Sequence, residues 1–368
     1  MPETILFIHS SAGRYGADRQ LLALAAGIDR GRFTPVAVLP ERGELAQLLE
    51  DAGVETAVAP LTVLRRAELG PRAAARLVRP DVGELESLAR ARETALVHSN
   101  TSVIASGHRL AATLGVPHVL HVRELYPRIP LAWPLWRRRL LRADRVLSVS
   151  QAVAAQFSGA ENVAVVHDGL AHVPRRAQPS TARDTFTVAV LGRISDWKGQ
   201  DVLVRALAEP PLASIGAVGL VAGAPWPGAE GPLAELNRLR DTLGVRDRVR
   251  MLGFADDLDA LLGAVDAVAV PSTRPDPFPN AALEAAAAGV PVVAAAHGGL
   301  PEMLRDGETG LLVEPGDPRA LAAALRSLAD DPGRAEALGA AAAKDIRARF
   351  SVERMLEAVQ AHYTALLD

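Results

Sequence analysis

The sequence has 368 residues, too many for one ordinary hydrophobic core and enough for two. With 49% hydrophobic and 23% charged residues it has a soluble globular composition, and a formal net charge of −3 leaves no basic field for general nucleic-acid binding. The absence of cysteine excludes disulfides, thiolate nucleophiles and cysteine-ligated zinc.

The opening stretch, MPETILFIHS, reads as a strand rather than a signal peptide, because no basic segment precedes a long apolar one. No apolar run reaches the length of a membrane span, and the expected compartment is the cytoplasm. Short apolar runs then alternate with helical patterns. The strands expected in the first half are Ile5–His9, Phe33–Leu39, Val54–Ala59, Ala95–His98, His118–His121, Arg145–Val149 and Val163–Val166. Helical patterns lie between them at Gly16–Asp29, Glu44–Ala52, Gly70–Ala91, Ser102–Leu114, Pro134–Arg142 and Gln151–Phe157. Such alternation implies a parallel sheet covered on both faces.

Three features of this half are candidates for function. The loop His9–Gly16 holds Gly13 and Gly16, small residues that let backbone approach a ligand just before a helix start. Its glycine spacing does not match a dinucleotide fingerprint, and an ordinary tight turn fits equally well. His121 closes an apolar run, where a neutral imidazole could hydrogen-bond a hydroxyl or carry a proton; a structural role is the commoner one for a lone histidine. Trp133, Trp136 and Leu140 share a helical stripe, with Arg137, Arg138, Arg139 and Arg142 beside it. Aromatics beside a basic cluster can dock on an anionic membrane surface, although buried tryptophans with solvated arginines produce the same pattern.

The alternation lapses over 171–185, rich in Pro and Arg, which reads as a linker. Expected boundaries are therefore 1–170, with 351–368 packing back on it, and 186–350 for a second domain. Strands resume at Phe186–Leu191, Ala217–Ala222, Val249–Gly253, Ala267–Val270, Val290–Ala295 and Leu311–Val313, and helical patterns run from Asp317 to the end. Two doubly wound domains place a cleft between them, where strand C-termini present ligands.

The densest chemistry lies in this second half. Arg193 and Lys198 stand five positions apart at one strand end, a spacing suited to clamping a diphosphate, although two solvated surface cations would look the same. Asp276 precedes and Glu284 enters a short helix starting near Asn280. A helix start gathers free N–H groups and the positive end of the peptide dipoles, so it suits an anion, with the acids reading hydroxyls around it. Solvent-facing acids on a loop–helix connection fit that spacing as well.

Taken together, Gly192-Arg193, Lys198-Gly199, Phe278-Pro279-Asn280, Leu283-Glu284-Ala285, the run Ala288–Val293 and the stretch Gly298–Glu302 resemble the retaining family 4 glycosyltransferases of the GT-B fold. The resemblance covers nearly the whole chain and is densest from 186 to 315. It implies two Rossmann-like domains, with the last helix crossing back onto the first. It also implies transfer of a sugar from a nucleotide-diphosphate sugar to a small-molecule, glycan or lipid-linked acceptor, with retention, without a metal ion and without a further cofactor. Arg193 and Lys198 match the diphosphate-binding cations, Glu284 the acid that contacts ribose, and Asp276 the acid that reads the donor sugar. Backbone at Phe278, Pro279, Asn280 and Ala281 would face sugar and phosphates. His121 matches a histidine near the donor sugar, and the Gly13–Gly16 loop would close over the donor phosphates and admit the acceptor. A lipid-linked acceptor would add peripheral contact with the inner membrane face through Trp133, Trp136, Arg137, Arg138 and Arg142.

The sequence departs from that pattern in three places. Asp276 stands where Glu is usual, Tyr15 where a second glycine is common, and Asp18 where Glu is common. These departures bear on donor and acceptor choice. Two other readings remain: a catalytically weak paralogue that only binds nucleotide sugar, and a sugar-nucleotide epimerase of the same fold. Base, sugar, acceptor and oligomeric state are not legible.

Overall fold

The computed structural model describes residues 1–64, 80–126, 132–176, 185–226 and 228–368. The chain divides into two compact units: Met1–Gly169 with Val352–Asp368, and Leu170–Ser351. Residues 171–176 fall in the second unit, and 177–184 of the expected linker lie outside the described residues.

The first unit is built on seven strands: β1 Glu3–Ile8, β2 Phe33–Leu39, β3 Glu55–Val58, β4 Thr94–Ser99, β5 His118–Val122, β6 Arg145–Ser148 and β7 Val163–Val165. They pair in parallel in the order β3-β2-β1-β4-β5-β6-β7. The second unit carries β8 Thr187–Leu191, β9 Val218–Ala222, β10 Val249–Gly253, β11 Ala267–Val270, β12 Val292–Ala295 and β13 Leu311–Val313. These are also parallel, in the order β10-β9-β8-β11-β12-β13. The central strands read as continuous Ala/Val/Leu runs because helices cover both faces; every residue of β11 and β12 is buried.

Both sheets are doubly wound. In each, the order reverses beside its first strand, between β1 and β4 and between β8 and β11. At such a reversal the two following connections leave toward opposite faces and open a crevice at the strand C-termini, the usual ligand position in this architecture.

The last helix, Val352–Leu367, belongs to the first unit, where Met355, Val359 and Tyr363 join the core formed by Ile5, Phe7, Leu96 and Leu147. Among the described residues no helix is long and apolar enough to cross a membrane.

Among the described residues, two expected helical stretches are helical only from a later residue. Of the helix expected over Gly70–Ala91, residues 70–79 lie outside the described residues, and helix is present over Gly83–Arg90. Asp81 accepts from the Gly83 N–H at 3.0 Å, a local turn that fixes the start. The helix expected from Ser102 begins at Ser106. Residues before it are tied elsewhere: Val63 and Ile104 form an antiparallel bridge, and the Ala105 N–H donates to Thr62 O at 2.8 Å.

Candidate functional site

In the second unit the loops after β8 and β11 are knitted together at the order reversal. The Thr273 N–H donates to Trp197 O at 2.7 Å, and Arg274 pairs with Asp196 at 2.6 Å. Gly199 starts the helix Gln200–Ala208 with φ +77°, and a Cβ there would overlap the Pro271 carbonyl, so glycine is what permits the close approach.

This register brings Lys198 and Asp276 together, 78 residues apart in sequence. The Lys198 Nζ lies 2.7 Å from Asp276 Oδ2, and the Ser272 hydroxyl donates to the same oxygen at 3.3 Å. Asp276 is 4% exposed, so this is a largely desolvated pair with Lys198 partly open to solvent. The loop around it is braced on all sides. Gly298 has φ +63°, and a Cβ there would overlap the Asp276 backbone. The Gly299 N–H donates to Asp276 O at 2.8 Å, a His297 ring nitrogen lies 2.7 Å from Ser272 O, and Phe278 packs edge-on against Phe350.

The helix Asn280–Ala287 follows at once. Its cap, Pro279, offers no side-chain acceptor to the first-turn amides, and Glu284 sits buried in the second turn. Arg193 follows β8 and lies with its guanidinium over the Trp226 ring, 3.1 Å from the centroid. Of the predicted residues in this unit, then, Lys198 and Asp276 are in direct contact. Phe278, Pro279, Asn280, Ala281 and Glu284 occupy the loop and helix start immediately after Asp276, and Arg193 is held by an indole. Trp226 carried no sequence signal, being a lone tryptophan in a Pro/Gly-rich connection.

In the first unit the reversal lies between β1 and β4, and the Gly13–Gly16 turn follows β1. Here His9 Nε2 meets Asp18 Oδ1 at 2.8 Å, the Ser11 hydroxyl donates to the same carboxylate, and the Tyr15 N–H donates to Asp18 Oδ2 at 2.9 Å. Burial raises the Asp18 pKa, but the bonds to His9, Ser11 and Tyr15 outweigh it and hold the carboxyl below its ordinary value. Asn100, at the end of β4, reaches His9 Nδ1 at 3.1 Å.

His121, expected to close its strand, is the penultimate residue of β5. β5 continues to Val122, and the ring is wholly buried beside His98, 5.6 Å between centroids. Burial, with Arg123 and His98 nearby, holds its pKa well below the ordinary value against a weaker pull from the Val166 backbone, so the imidazole is neutral at physiological pH. Arg123 reaches His121 Nδ1 at 3.4 Å but is anchored elsewhere: it pairs with buried Asp168 and donates to Asn100 O at 3.1 Å. Glu124 accepts from Ser102 and from the Arg123 N–H, and burial pushes its pKa above the ordinary carboxylate value. Neither Asp168 nor Glu124 sits in a recognisable motif, and the Arg123–Asp168 and Ser102–Glu124 pairings are set by strand order rather than by sequence spacing.

The tryptophan-bearing helix is Ala132–Leu140. Trp133 stacks on Tyr126 and touches Phe157, while Trp136 meets Tyr126 edge-on. Arg137 donates to Gln156 O and Ser158 O, and Arg139 to Ala105 O, whereas Arg138 and Leu135 are exposed. The rings are thus committed to packing within the unit. Among the described residues no three His, Asp or Glu side chains cluster as metal ligands.

Comparison with known proteins bears on the whole chain. The family described as Glycosyltransferase Family 4 matches residues 15–171, and that described as Glycosyl transferases group 1 matches residues 175–345. A D-inositol 3-phosphate glycosyltransferase of Salinispora tropica is 42% identical over 198 residues, 50% of this chain and 40% of that protein. Its counterpart from Streptomyces scabiei is 32% identical over 308 residues, 74% of this chain and 68% of that protein. The chain spans about half the length, or less, of several curated relatives it matches. Among solved structures, Anabaena Alr3699/HepE in complex with UDP and glucose superposes with a TM-score of 0.84 at 27% identity, covering 98% of this chain and 99% of that one.

Proposed function

The chain belongs to the family 4 glycosyltransferases of the GT-B fold, and from that premise we propose that it moves a sugar from a nucleotide-diphosphate sugar to an acceptor hydroxyl, with retention and without a metal ion. The observation that carries this reading is the Lys198–Asp276 pair at the order reversal of the second sheet, with the Asn280–Ala287 helix start directly behind it. Lys198 and Arg193 take the diphosphate, and Asp276 accepts from a hydroxyl of the donor sugar. Glu284 accepts from the ribose, and the backbone of the loop and helix start at Phe278–Ala281 adds dipoles toward the same anion.

In the transfer step the bond from the anomeric carbon to the phosphate oxygen breaks. The acceptor oxygen bonds to that carbon on the same face, and the departing phosphate takes the acceptor proton. The charge grows on the phosphate, so cations aimed there favour the transition state over the ground state. His121, buried and neutral, is not given a direct part in the transfer step. The Gly13–Gly16 turn, with its Asp18 network, is the acceptor-side candidate. The Trp133 and Trp136 rings are occupied by packing, so membrane contact is not part of this proposal.

Incubation with a panel of nucleotide sugars tests it. UDP-sugars come first because Alr3699/HepE was solved with UDP and glucose, and D-inositol 3-phosphate heads the acceptors because relatives are named for it. The expected result is acceptor-dependent release of nucleoside diphosphate that survives EDTA, with the anomeric configuration of the donor kept in the product by NMR. Donor binding without turnover would favour the binding paralogue, and interconversion of the nucleotide sugar without acceptor would favour the epimerase.

A further inference from the structure

Away from the Lys198–Asp276 pair, the second unit carries a cavity of about 650 Å³. Ala288 lines it, at the close of the helix Asn280–Ala287 and ahead of β12, whereas Lys198 and Asp276 follow β8 and β11. In a parallel sheet those are opposite ends of the strands. The helix between the two places has 8 residues, so it spans about 12 Å.

The lining is basic. His172, Arg175, Arg176 and Arg347 supply its polar part, the rest is apolar, and no acid takes part. The end of the helix gathers this charge. A helix C-terminus leaves carbonyls without intrahelical donors and carries the negative end of the peptide dipoles, so it attracts arginine. Arg347, in the helix Pro332–Arg349, donates from Nε to Ala287 O at 3.0 Å. Arg176 donates to Gly289 O at 3.3 Å and to Val265 O at 3.1 Å. Arg175 is fastened by its backbone: its N–H donates to Asp259 Oδ1 at 3.1 Å, and that oxygen lies 3.7 Å from the His172 ring.

Closing a helix end uses only part of these donors. A carbonyl is a neutral acceptor, so it holds a guanidinium without cancelling its charge. Among the described residues, the Nη groups of Arg347 and the whole guanidinium of Arg175 meet no carboxylate and no other acceptor. Other arginines of this unit are paired with acids: Arg246 with Asp241, Arg274 with Asp196, and Arg305 with Asp345. Two open forks on one recess are a different arrangement. Each matches the oxygens of a phosphate two at a time, and the neighbouring Arg176 adds a third positive charge. The volume is that of a small-ligand site rather than of a single oxyanion. None of the large exposed apolar side chains belongs to the lining, so nothing there would insert into a bilayer.

We propose that this cavity is a second anion site, for a small soluble molecule carrying two or more phosphate groups, held by Arg175 and Arg347. Bound there, the ligand ties the segment that opens the unit to the helix Pro332–Arg349. The site shares no residue with the donor-site reading and does not depend on it.

Calorimetric titration of the full chain with inorganic tripolyphosphate tests it, on wild type, Arg175→Ala, Arg347→Gln, the double variant and Lys198→Ala. Glutamine keeps an N–H where Arg347 Nε donates to Ala287 O, so it removes the charge and leaves the helix end satisfied. The expected result is a binding step that weakens with added salt. Either arginine variant should weaken it about 5- to 10-fold and the double variant about 30-fold or more, the scale of charge-assisted hydrogen bonds lost at a partly exposed site. Lys198→Ala should leave that step unchanged. No binding by wild type, or equal binding by wild type and the double variant, would overturn the site. Binding lost in Lys198→Ala and kept in the arginine variants would place the ligand at the donor site, overturning this inference and leaving that reading standing. Phosphatidylcholine vesicles with and without phosphatidic acid form a second arm. Cosedimentation with phosphatidic acid that Arg175→Ala abolishes, without tripolyphosphate binding, would overturn the soluble ligand in favour of a lipid headgroup. Circular dichroism and melting temperature of Arg175→Ala, whose exposed side chain has no partner to lose among the described residues, should match wild type and so separate a lost site from misfolding.

Discussion

At the scale of single residues, what each polar group does is decided by what meets it. His118 lies wholly buried at the start of β5, its Nε2 2.9 Å from the Ser99 hydroxyl, and burial lowers its pKa to about 3, with His108 adding to the shift. His98 and His121 are lowered as well, by burial first and then by Arg123. The sign follows from linkage. Below the ordinary value of 6.5 the unfolded chain takes up protons that these native imidazoles refuse, so their stability contribution is present above 6.5 and is lost as pH falls toward the native value. For His118 the loss between pH 7 and pH 5 is about 2 kcal/mol, from about 1.4 kcal/mol per pH unit below 6.5. Glu124 and Asp168, pushed up by burial, act oppositely between the ordinary carboxylate value and their own. A variant comparison therefore isolates the histidine. Denaturant unfolding of His118→Gln should show a pH 7 to pH 5 difference about 2 kcal/mol smaller than wild type; an identical difference would mean that His118 titrates normally. None of these pairings could be read from spacing. His98 meets Tyr363 265 residues away, and Arg123 meets Asp168 only because β5 and β7 flank β6.

At the scale of elements, the sequence was most informative where local chemistry decides. The strands of the second unit follow their apolar runs closely, and the short helix after Asp276 starts at Asn280 as the Pro279 cap dictates. Local pattern failed where a long-range tie competes with it, as at Ser102–Ala105, which a bridge and Glu124 pull out of helix. Gly298 shows the same competition in the site. It is needed both for its φ of +63° and for the space its missing side chain gives the Asp276 backbone. Gly298→Ala should cost about 1–3 kcal/mol of stability from the strained conformation and displaced loop. Because the loop it displaces carries Asp276, turnover should fall by at least about 10-fold, by analogy with small misplacements at reacting centres. Denaturant curves and initial rates measure both, and a variant with wild-type stability and rate would show that this turn does not hold the acid.

At the scale of the whole chain, one topology is used twice. Each unit winds its sheet outward from its first strand and gathers polar residues where the order reverses: His9, Asp18 and Asn100 in one, Lys198 and Asp276 in the other. The alternation of apolar runs and helical patterns made this architecture legible. The pairing of Lys198 with Asp276 was not, because each residue taken alone fits a donor site without revealing that the other is its partner. The role proposed for this pair is sugar transfer. The most direct test is the rate of nucleoside diphosphate release by wild type and by Lys198→Ala, with the same donor and acceptor at saturation. The expected result is a fall of about 10²-fold or more, the scale of losing one transition-state donor, with the fold intact by circular dichroism. A Lys198→Ala protein that turns over at the wild-type rate would contradict it.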